Sequence, residues 1–137
     1  PPIDPKELTL FKDSLSVRLA KYKNTKIDSV ETAEDFVKKV FEGGLKKLKF
    51  AGHSFTAVPD TEFMGGGRKH EYFYNGTMQQ LFQGKPVTMK FSADTKEGDY
   101  SSLYLTVKLV KGVLTPIEVR YTDKSKGGYG TSEVVKF

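Results

Sequence analysis

The chain has 137 residues, 37% of them hydrophobic and 12% aromatic, with no cysteine and a formal net charge of +5. That is the size of one soluble, globular domain with a proper core. The composition excludes a disordered chain, disulfides and thiolate chemistry, and no apolar run approaches the ~20 residues of a membrane-spanning helix. Residues 1–42 carry eight basic and eight acidic side chains, so the excess lies in residues 43–137, with fourteen basic and nine acidic. Such a surface favours acidic partners, unless the lysines serve solubility alone.

In chain order, Pro1, Pro2 and Pro5 read as a tether, as expected of a processed secreted or periplasmic protein. Asp4-Pro5-Lys6-Glu7 then has the form of a helix start, with Asp at the N-cap and Pro at the first helical position. Leu8, Phe11, Leu15, Leu19 and Tyr22 recur at helical spacing and predict a helix over about 5–23, ended by Asn24-Thr25. Leu15, Val17 and Leu19 also alternate like a strand, but the cap and the length favour helix. Thr32-Ala33-Glu34-Asp35 is a second capping signature. It opens a helix over 32–43 with Phe36, Val37, Val40 and Phe41 on one side, stopped at Gly43-Gly44.

Leu45 to Phe50 reads as a further helical turn or a first strand, and Phe50 to Val58 as extended, ending at Pro59-Asp60. Residues 59–68 lack periodicity and predict a loop. Lys69 to Tyr74 and Thr77 to Phe82 flank Asn75-Gly76, which predicts a hairpin through a type I′ turn. Asn75-Gly76-Thr77 is also a formal glycosylation acceptor, read as a turn first. Val87, Met89, Phe91 and Ala93 alternate with polar residues as a one-sided strand, and Asp94 to Asp99 is a polar connection.

Residues 100–122 carry the clearest pattern. Leu103, Leu105, Val107 and Leu109 alternate with Tyr104, Thr106 and Lys108, and Ile117, Val119 and Tyr121 alternate with Glu118 and Arg120. A two-residue turn at Lys111-Gly112 would set Leu105 opposite Glu118. A three-residue connection, or a bulge, sets Val107 opposite Ile117, Leu105 opposite Val119 and Leu103 opposite Tyr121. A one-residue slip flips every side chain, so the longer connection or a bulge is predicted, with positive φ at Gly112. Asp123 to Gly130 is a basic, glycine-rich loop, and Ser132 to Phe137 a closing strand.

Two helices followed by about six antiparallel strands predict a single α+β domain over 1–137, its helices laid across one face of a curved meander sheet spanning about 50–137. This outline is similar to that of cystatin-like and nuclear-transport-factor-like cones, with no shared motif. Outline alone implies no function.

Little catalytic chemistry is visible. His53, His70 and Glu71 match no metal-ligand spacing, Asp94 to Asp99 lacks the alternating ligands of a calcium loop, and no serine sits in a nucleophile elbow. No metal or cofactor is expected. Gly65-Gly66-Gly67-Arg68-Lys69 and Lys124-Ser125-Lys126-Gly127-Gly128-Tyr129-Gly130 pair glycines, which let backbone N–H groups approach an anion, with neutralising cations. With Lys46, Lys47 and Lys49, they predict a polyanion-binding patch of Arg68, Lys69, Lys124, Lys126 and these three lysines, with Tyr129 available for stacking. Tyr72 and Tyr74 share one strand face while Phe73 takes the other, and together with Tyr104 they predict a tyrosine-bearing partner face. Val110, Leu114 and Pro116 on the outer face of the long hairpin suggest a covered edge or a homodimer edge.

The expectation is a non-enzymatic binding domain that engages a protein partner or an acidic glycan through the tyrosine face and the basic loops. Nucleic acid is the first rival partner, and a small enzyme with a cavity between helices and sheet the second rival reading.

Overall fold

The computed structural model describes residues 4–22, 26–50, 52–58, 73–94, 100–123 and 131–137. Two helices, α1 (Pro5–Ala20) and α2 (Val30–Glu42), precede β1 (Lys47–Phe50) and β2 (His53–Ala57). A one-turn helix α3 (Met78–Phe82) follows, then β3 (Val87–Asp94), β4 (Tyr100–Val110), β5 (Val113–Asp123) and β6 (Thr131–Lys136). The strands form one curled antiparallel sheet in the order β1-β2-β3-β4-β5-β6, so the fold is α+β with each strand beside its sequence neighbour.

Asp4 caps α1 by accepting from the Lys6 N–H, with Pro5 at the first helical position. The helix buries Phe11, Leu15 and Leu19 and leaves Val17 exposed, as helical spacing requires and strand alternation does not. It ends at Ala20, short of the expected residue 23, because Tyr22 turns away and its hydroxyl accepts the Gly44 N–H at 2.9 Å. The Arg18 guanidinium donates to the Lys47 carbonyl at 2.8 Å, so two side chains of the α1 end hold the connection between α2 and β1.

Helix α2 begins two residues before the expected start. Ser29 is its N-cap, and Thr32 is the N3 partner of a reciprocal capping box rather than the cap itself. At its end Gly43 has φ −107°, so the glycine does not supply a left-handed stop. It is needed for space, since a Cβ there would collide with the Tyr22 hydroxyl.

The expected strand from Thr77 to Phe82 is helical. Thr77 and Gln80 form a second reciprocal capping box, Leu81 is buried, and α3 packs on α2. Asn75 makes an isolated bridge to Thr88, so Asn75-Gly76 does not join two paired strands. Residues 73–76 instead run along the edge of β3, which Ala57 and Val58 flank further along. Conversely, Leu48 and Phe55 pair across a β1–β2 hairpin where a helical turn was one of the two expectations.

In the β4–β5 hairpin the expected pairs Leu105–Val119 and Leu103–Tyr121 both form. The connection is the two-residue turn, with Val110 paired to Val113 and positive φ at both Lys111 (52°) and Gly112 (77°), the type I′ requirement. Register is restored by a bulge: Thr106 faces Glu118 but Val107 faces Pro116, and Ile117 is the extra residue. The Ile117 carbonyl accepts from the Phe137 N–H at 3.0 Å. In the register set by the turn, before the bulge, Leu114 and Pro116 face inward opposite Leu109 and Val107. Both are buried, so they leave the expected outer face and are covered within the chain, and of that trio Val110 is exposed.

Phe11 meets Phe50 at 4.8 Å between ring centres, and Phe50 meets Tyr121 at 5.5 Å, joining helix, edge strand and central hairpin. With Phe36, Val40, Phe55, Met89, Phe91 and Leu105, these rings fill the space between helices and sheet. Lys111→Asn, which tolerates positive φ, should raise the melting temperature by about 2–4 °C, a gain of roughly 1 kcal/mol. Tyr22→Phe should remove about 1 kcal/mol in denaturant titration, because the Gly44 N–H loses its acceptor.

Candidate functional site

Side chains that alternate with the core residues point to the face of the sheet away from the helices. Strand register arranges them in rows. Thr56, Ser92, Ser102 and Thr122 are aligned across β2 to β5, with Lys47 heading the row on β1. The next row runs Lys90, Tyr104, Arg120, Val134, and the one after it Thr88, Thr106, Glu118, Lys136. This outer face therefore carries hydroxyls, charges, Tyr104 and Val134, where the inner face is mostly apolar core.

Tyr74 joins the middle rows from outside the six strands. Its N–H donates to the Thr88 carbonyl at 2.8 Å, which directs Phe73 into the core and Tyr74 to the outer face. The Tyr74 and Tyr104 rings lie 4.9 Å apart and tilted by 65°, an edge-on aromatic pair. The Arg120 guanidinium carbon sits 4.3 Å over the Tyr104 ring, and the Lys90 ammonium is 5.9 Å from Tyr104 and 6.0 Å from Tyr74. Two cations are thus held on two aromatic rings.

Tyr74, Tyr104 and Arg120 line an open cleft of about 330 Å³ whose other walls are Asn75, Thr88, Thr106, Glu118 and Val134. The Thr88 and Thr106 hydroxyls are hydrogen-bonded at 3.0 Å, and either can be the donor. Among the described residues, Arg120 makes no side-chain hydrogen bond or ion pair, and its Nε is buried without a partner. Lys90 likewise pairs with no carboxylate there; the ion pair found among the described residues is Lys26–Asp28, on the surface. Stacking occupies the flat face of the guanidinium and leaves the in-plane N–H donors for something else. A buried donor without an acceptor costs about 1–3 kcal/mol.

The predicted site residues divide into three groups. Tyr74 and Tyr104 are brought into contact. Lys46, Lys47 and Lys49 are all exposed at the β1 edge, and Lys47 and Lys49 face outward, two strands from Lys90. Arg68, Lys69, Tyr72, Lys124, Lys126 and Tyr129 lie outside the described residues, as do His70 and most of the Asp94 to Asp99 segment. His53 sits on β2 with its ring edge-on to Phe55, and among the described residues no cluster of potential metal ligands forms.

Sequence reasoning missed Lys90, Arg120, Thr88, Thr106 and Glu118. The signal was available in part, since Lys90, Thr106, Glu118 and Arg120 occupy the polar positions of strongly alternating strands. Which of them would be neighbours depended on register across three strands.

No protein-family model matches the chain, and the searches of curated proteins and of solved structures returned no match. The functional reading accordingly stands on the geometry of the outer face. Because the Arg120 Nε proton is shielded, its signal should persist near neutral pH in nitrogen-detected NMR. Tyr104→Phe should keep that signal and Tyr104→Leu should lose it, with global stability changed by no more than about 1–2 kcal/mol.

Proposed function

We propose that this protein is a non-enzymatic binding domain whose recognition surface is the outer face of the sheet, and that its partner is acidic. The observation that carries this reading is the state of Arg120. Its guanidinium is stacked in place over Tyr104, its Nε is buried, and among the described residues no protein group uses its donors. A cation so held is pre-organised for a carboxylate, sulfate or phosphate, and little further side-chain entropy is lost on binding.

Lys90 adds a second positive charge at the same rings, and Glu118 is the single carboxylate lining the cleft. The exposed Lys47 and Lys49 extend positive potential along the same face toward the β1 edge. Exposed lysines of that kind speed encounter and add salt-dependent affinity, whereas the stacked pair supplies orientation.

The reading requires binding to a polyanion that weakens steeply with salt. A labelled panel of heparin, polygalacturonate, polyglutamate and single-stranded DNA, titrated across a salt series, tests it. Arg120→Glu with Lys90→Glu should reduce affinity at least tenfold at physiological salt. Glu substitution of Lys46, Lys47 and Lys49 together should lower the salt slope and slow association, with a smaller loss of affinity. Absence of binding to every polymer near physiological salt would count the basic charge as a solubility device and remove the proposal.

A further inference from the structure

We infer that the acidic partner is a glycan, and that the cleft holds one of its anionic sugar rings between Tyr74, Arg120 and the Thr88–Thr106 hydroxyl pair. This rests on the binding reading above and specifies its ligand.

Three features of the cleft choose among polyanions. First, it lies on a sheet face and not on an edge. The backbone groups of β3, β4 and β5 are committed to the ladders on both sides, so an extended acidic peptide gains no strand pairing here and meets side chains only. Second, the walls include neutral groups that both donate and accept: the Thr88 and Thr106 hydroxyls and the Asn75 amide. A phosphodiester chain offers them only acceptors. A sugar offers a hydroxyl at nearly every ring carbon, which is both donor and acceptor. Third, Glu118 lines the same cleft. A carboxylate repels each of these polyanions, but among them a sugar chain also offers it hydroxyl donors at most ring carbons.

The aromatic pair completes the fit. Tyr74 is 54% exposed, so its ring is available as a platform for the C–H face of a pyranose, while Tyr104 is occupied by Arg120. Arg120 and Lys90 then lie beside that platform to take the carboxylate or sulfate. A volume of about 330 Å³ is at the low end of small-molecule sites and suits one ring with its substituents, not a long segment.

The experiment compares polygalacturonate, heparin, polyglutamate and single-stranded DNA at equal concentration of anionic groups and across a salt series, with neutral dextran as control, on the wild-type chain, Arg120→Glu and two further variants. Thr88→Val with Thr106→Val keeps side-chain shape and removes both hydroxyls, and Tyr74→Ala removes an exposed ring. Both are first checked for an unchanged thermal transition. The expected result is that polygalacturonate or heparin binds at least tenfold more tightly than polyglutamate or single-stranded DNA. Each of those two variants should erase that preference, whereas Arg120→Glu should weaken binding of every charged polymer alike. Preference for polygalacturonate assigns the anion as a carboxylate, and preference for heparin as a sulfate; either supports the inference. Equal binding of polyglutamate or DNA, unmoved by the variants, overturns the glycan and leaves the acidic-partner reading standing. Dextran binding as tightly as the charged glycans overturns the anionic ring. Failure of every polymer overturns both.

Discussion

The extra residue at Ile117 decides which side chains the β4–β5 hairpin sends to each face. A type I′ turn at Lys111-Gly112 starts the hairpin in the register that would put Glu118 opposite Leu105. Strand side chains alternate with period two, so continuing that register would carry Glu118 and Arg120 to the core and Val119 and Tyr121 to the outer face. Burying those two charges unpaired costs several kcal/mol each, far more than the one unpaired position of a bulge. The bulge resolves the conflict in a single step, and the Phe137 N–H takes up the carbonyl it exposes.

The β5 share of the outer face follows from that step. Arg120 is brought across from Tyr104, and Glu118 across from Thr106, only in the register beyond the bulge. Lys90 arrives from the other side through an uninterrupted β3–β4 ladder of eight paired residues. The cluster of cations and rings is therefore assembled from three strands and one flanking segment, each rigid, and none of its members relies on a loop tip for its position. Rigid placement matters for recognition, because an arginine already stacked loses less freedom on binding than one drawn from solvent.

The two faces of the sheet also divide the work. The inner face meets α1 and α2 through rings and aliphatic groups that leave little room for polar chemistry, apart from Ser101. Basic excess is carried by the sheet half of the chain, while the helical half is balanced. The helices thus serve chiefly to cover the core and to brace the β1 edge through Arg18 and Tyr22. The outer face is left to hydroxyls, cations and tyrosines, a composition that binding tolerates and a core does not.

Local sequence determined much of this. The Asp4-Pro5 start of α1, the amphipathic run of α2, the alternation of β3, β4 and β5 and the pairs Leu103–Tyr121 and Leu105–Val119 are all consequences of period and capping chemistry between near neighbours. The exposure of Tyr74 opposite the burial of Phe73 follows from the same alternation. What local rules left open was decided where two of them competed. Asn75-Gly76 favours a hairpin and Thr77-Met78-Gln79-Gln80 a capped helix; burial of Leu81 against α2 selects the helix, and that contact joins residues far apart in sequence. Ser29 and Thr32 are both good caps, and the reciprocal bond between them settles their roles. The contact of Tyr74 with Tyr104, and the stacking of Arg120 beside Lys90, could not be read from spacing at all. They depend on register across β3, β4 and β5, which the chain settles only when the core closes behind the sheet and fixes which residues face away from it.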